Sequence, residues 1–60
     1  MQFDYNVART NLLLGYLKLE RGDSETANTL LEACLDFGLK YPDWPAAQQL
    51  AKSAGELLKK

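Results

Sequence analysis

The chain contains no histidine and only one cysteine, Cys34. Without an imidazole, a single thiol supplies neither a Cys/His metal cage nor a Cys-His nucleophile, and it closes no internal disulfide. Apolar runs are no longer than Leu12-Leu13-Leu14, far short of the roughly 20 residues that span a bilayer, so no membrane span is expected. Neither charge sign dominates: seven Lys and Arg face eight Asp and Glu, for a net charge of −1. That balance lacks the basic footprint of a nucleic-acid binder, and a third helix in a DNA-reading role would bring only Lys52, Lys59 and Lys60. The glycines Gly15, Gly22, Gly38 and Gly55 are isolated from one another, which excludes a phosphate-cradling loop. Residues 1–6 have no basic segment followed by an apolar one, so no export or transit signal is expected. With the unpaired Cys34, this points to a reducing, cytoplasmic setting if the chain is not a fragment.

What is present reads as an ordinary globular domain, since 47% hydrophobic and 25% charged residues exclude a disordered or low-complexity tract. The spacing predicts an all-α, three-helix domain over residues 1–60, with helices at about 5–21, 24–40 and 45–59. Ala8, Leu12, Leu14, Leu17 and Leu19 give the first helix an apolar surface too wide for one seam, to be covered on more than one side. Arg21-Gly22-Asp23-Ser24 reads as a helix stop and a helix start, with Gly22 left-handed and Asp23 or Ser24 as N-cap. So short a connection makes an antiparallel hairpin and brings Gly15 against Ala27. In the second helix Ala27, Leu30, Leu31, Cys34, Leu35 and Phe37 recur at helical spacing, and Cys34 is read as a small apolar core residue. Gly38 is expected to loosen the last turn before Tyr41-Pro42-Asp43-Trp44-Pro45 ends it. Asp43 or Trp44 then caps a third helix with Pro45 in its first turn, a stripe from Ala47 to Leu58, and Lys59 and Lys60 at its dipole end.

Leu14-Gly15, Gly22-Asp23, Ala27, Leu31 and Cys34-Leu35 stand at spacings that resemble the tetratricopeptide repeat, over about residues 8–39. Asn11, Lys18, Ser24 and Leu39 depart from its usual Trp, Tyr, aromatic and Pro, and the proline comes late as Pro42. The resemblance implies a helical hairpin plus a C-terminal capping helix, working as a protein-interaction module. It also implies that the first helix lines a concave groove through Arg9, Leu12, Tyr16, Leu19 and Glu20. Leu12, Leu13 and Tyr16 stand where carboxylate-clamping members carry Lys and Asn, so an apolar helix or extended segment is the expected partner.

The same residues admit a second reading, in which Leu12, Tyr16 and Leu19 pack on the third helix or on a dimer mate. Too few helices to cover their own apolar flanks need a cover: a second copy, a larger parent protein or a partner segment. A structural self-assembly unit, with Leu50 and Leu57 of the third helix at the interface, is therefore the alternative to a docking module. Trp44 either anchors an interface or closes the core, and Phe3 and Tyr5 either staple the first helix or pack on that Trp. Glu20, Asp23 and Glu25 suit a solvated helix start. No catalytic residue, cofactor or metal site is assigned, and the chain is read as a non-enzyme.

Overall fold

Helix α1 (Tyr5–Glu20) starts where the Asp4 carboxylate accepts the backbone N–H of Val7 at 3.0 Å, in the computed structural model that describes residues 4–59. Its stop is a Schellman turn. Gly22 takes φ +81°, its N–H bonds Leu19 O at 3.0 Å, and the N–H of Asp23 bonds Lys18 O at 2.8 Å. Asp23 at once begins α2 (Ser24–Lys40), its Oδ1 accepting the Thr26 N–H at 3.2 Å. One residue thus closes one helix and opens the next, which is why the connection needs no more than Arg21-Gly22-Asp23.

Hydrogen bonds from Thr26, the side chain first and the amide second, hold the Asp23 carboxyl below its ordinary range, with a smaller pull from Lys18. A folded-state value below the unfolded one makes this cap's contribution present at neutral pH and lost as pH falls through the folded value. Asp23→Asn keeps a capping oxygen and removes the titration. The urea midpoint should therefore fall less on acidification in Asp23→Asn than in the unaltered chain.

Helix α2 ends at Tyr41, and its last carbonyls are taken from outside: Gln48 Nε2 donates to Gly38 O at 2.6 Å and to Tyr41 O at 3.0 Å. Helix α3 (Pro45–Leu58) starts at Trp44, without a side-chain cap, and Pro45 in the first turn forgoes an N–H that would have no intrahelical partner. The expected boundaries agree with these to within a residue. No strand occurs among the described residues. The expectations for Phe3 and Lys60 lie outside the described residues.

Helix α2 is the centre of the fold, packing on both α1 and α3, which touch each other far less. Two glycines allow this. A Cβ at Gly15 would stand 2.7 Å from Leu31 Cδ2 and 3.6 Å from Ala27 O, so the hairpin closes where the Gly15 and Ala27 turns meet. Gly38 does not loosen the end of α2 as expected. It is buried, and a Cβ there would collide with the Ala51 methyl and stand 3.3 Å from Ala47 O. Gly38 is the close crossing of α2 with α3.

Small residues run through the core accordingly. Ala8, Phe37, Ala47 and Leu50 form one buried cluster; Leu31, Cys34 and Ala54 form another, and half-buried Leu12 packs on both. Only one face of α1 is covered. Gly15 and Ala8 are buried, but Leu13 and Leu17, on the opposite side of the helix, are 59% and 51% exposed.

Candidate functional site

The seam where α1 and α3 barely meet leaves a shallow groove lined by Leu12, Leu13, Tyr16, Ser53, Glu56 and Leu57. It continues past Tyr16 and Leu57 to Leu19 and Glu20. Tyr16 is its most prominent aromatic, 47% exposed on α1. Helical spacing explains the alignment: Leu12, Tyr16, Leu19 and Glu20 follow one another by three or four residues and so share one side of α1. Leu57 and Ser53, four residues apart on α3, form the facing wall.

Four of the five residues predicted for the α1 groove thus line one surface together. Arg9 is exposed and lies outside this groove. Leu12 and Leu19 also rest on buried core residues, so they serve as the floor, whereas Tyr16 stands at the rim. The two α3 residues predicted for self-association separate. Leu57 is half-buried in the groove wall, but Leu50 is buried beside Ala8 and Phe37 within the chain, so an acid there would report on folding rather than on association. Leu13, Ser53 and Glu56 complete the lining without having been singled out as a site. The resemblance places Leu13 at a groove position beside Leu12 and Tyr16, although it is not among the five residues expected to contact the partner, whereas Ser53 and Glu56 carry no such signal.

At the other end of the bundle four rings converge. Phe37 is buried, with Tyr41 at 4.9 Å, Trp44 at 5.8 Å and Tyr5 at 6.4 Å between centroids, and Tyr5 lies 5.3 Å from Trp44. Trp44 therefore closes the core over Phe37 while remaining 41% exposed. Tyr5 packs on it.

Comparison with protein-family models, with curated proteins and with solved structures finds no match to this chain. No helix among the described residues is long and apolar enough to cross a membrane. Among those residues no three His, Cys, Asp or Glu side chains gather at metal-binding distance.

Cys34 is wholly buried, its Sγ donating to Ala8 O at 3.1 Å and so tying α2 to α1. Burial pushes its thiol up to about 11, leaving it protonated at neutral pH, where the thiolate is the reactive form. Iodoacetamide should therefore leave native Cys34 unmodified over a period in which the urea-unfolded chain is fully alkylated. Equal rates, read by mass spectrometry, would contradict that burial.

Proposed function

We propose that this chain is a protein-interaction module of the tetratricopeptide type that docks an apolar helix or extended segment on α1, along its seam with α3. The observation that carries this reading is the groove itself: an open apolar channel whose rim is the exposed Tyr16 ring, whose floor is Leu12 and Leu19 and whose facing wall carries Leu57. A large aromatic at a groove rim offers contact area at low entropic cost, the usual character of a binding hot spot. Glu20 and Glu56 border the channel, which suits a segment with basic residues flanking its apolar ones.

Selection from a displayed library of helical peptides tests this. The selected binders should be amphipathic, and Tyr16→Asp should weaken them about tenfold or more, with the far-UV circular dichroism unchanged because Tyr16 is largely outside the core. Binders indifferent to Tyr16→Asp, or amide-shift changes confined to the Tyr41 and Trp44 end, would remove α1 as the docking surface.

A further inference from the structure

On α1, Arg9, Leu13, Tyr16 and Glu20 follow one another at spacings of four, three and four residues. Arg9 and Glu20 are eleven residues apart, about three turns, so the four lie along one line roughly 16 Å long. The pattern reads the same from either end. A point between Leu14 and Gly15 relates Leu13 to Tyr16, Leu12 to Leu17, and Arg9 to Glu20. Its charges are opposite at the two ends.

This line is exposed throughout, with Leu17 exposed on the row beside it. Neither Arg9 nor Glu20 has an ion-pair partner within the chain among the described residues. A contact about a two-fold axis requires a self-complementary patch, in which residue i meets j and j meets i. An antiparallel copy of the same helix meets that requirement here and also sets the two helix dipoles in opposition. An unrelated apolar partner gives no reason for the mirrored spacing or for the opposite charges at its ends.

We propose that two copies of this chain associate through antiparallel α1 helices. Leu13 of one copy lies against Tyr16 of the other, Leu17 flanks this seam beside the Leu17 of the other copy, and Arg9 pairs with Glu20 at both ends. This rests on the reading of α1 as the docking helix and names its occupant as a second copy. A standard interface covers about 800 Å² per partner, near a fifth of the 4412 Å² surface of this small chain. One helix face falls short of that, so the association is weak and concentration-dependent.

Sedimentation equilibrium from low micromolar to near-millimolar concentration should show the average mass rising from the monomer value of 6.7 kDa towards twice that. Leu13→Asp and Leu17→Asp, both outside the core, should hold the chain monomeric with unchanged circular dichroism. Arg9→Glu alone and Glu20→Arg alone should each raise the dimer dissociation constant about tenfold, since each sets like charges opposed at both ends. The combined Arg9→Glu, Glu20→Arg chain should return to the original value. An unaltered chain that stays monomeric at the highest concentration overturns the pairing, while the docking reading keeps its own peptide test. A dimer indifferent to Leu13→Asp and Leu17→Asp, or single reversals that the combination does not rescue, overturns it equally.

Discussion

Leu31→Ala is expected to destabilise the fold by about 3 kcal/mol, within the range measured for Leu to Ala changes in closed cores. Leu31 is fully buried, seated on the Gly15 turn of α1 and grouped with Cys34 and Ala54 of the other two helices. Its removal opens a void that all three helices border. None can close it alone, because each is held at a short separation by other contacts. A 60-residue domain is expected to have only about 3 to 9 kcal/mol of stability, so the change removes much of it. With a urea slope of about 1 kcal/mol per molar for so small a chain, the midpoint should fall by about 3 M, or the chain should unfold in buffer. Leu39→Ala is the control. That side chain is 79% exposed, and its loss should stay within about 0.5 kcal/mol. Similar midpoints for the two variants would place Leu31 outside the core.

Gly38→Ala is expected to destabilise by about 2 kcal/mol, although alanine favours a helix over glycine by about 1 kcal/mol. The new methyl meets the Ala51 methyl and the Ala47 carbonyl, and neither has a torsion with which to move away. Helix α3 must instead back off from α2. That loosens Leu50 and Phe37 and stretches the Gln48 bonds to Gly38 O and Tyr41 O. Gly15→Ala differs, because its methyl meets the Leu31 side chain, which has rotamers to explore. Its loss should be the smaller. Ala51→Gly in the Gly38→Ala chain restores room and should recover at least about 1 kcal/mol beyond additivity in a double-mutant cycle read by urea unfolding. Strict additivity would mean the two positions do not touch.

The contrast between the two glycines shows where reading residues in order succeeds. Gly15 was legible because a three-residue connection leaves two neighbouring helices only one way to lie, so its partner Ala27 follows from counting along the hairpin. Gly38 was misread as a weak last turn because its partners, Ala47 and Ala51, lie beyond a proline-containing turn whose angle no spacing specifies. A stripe of small residues at Ala47, Ala51 and Ala54 was the available signal, and it needed a known crossing to be useful. The candidate site divides in the same way. Leu12, Tyr16, Leu19 and Glu20 share a side of α1 by periodicity alone, whereas their meeting with Leu57, and the retreat of Leu50 into the core, depend on how α3 lies.

Helices, their limits and the hairpin turn are written in the chain, since caps, a left-handed glycine and proline act on neighbours within four residues. Which faces meet is a matter of apposition between residues far apart in order. Only the assembled bundle settles that α2 is central, that Gly38 marks its second crossing, and that Leu13 and Leu17 of a leucine-rich first helix face outward. The physical reason is that α1 is apolar nearly all round: its own pattern offers no preferred side, and burial of Gly15 against Leu31 chooses one.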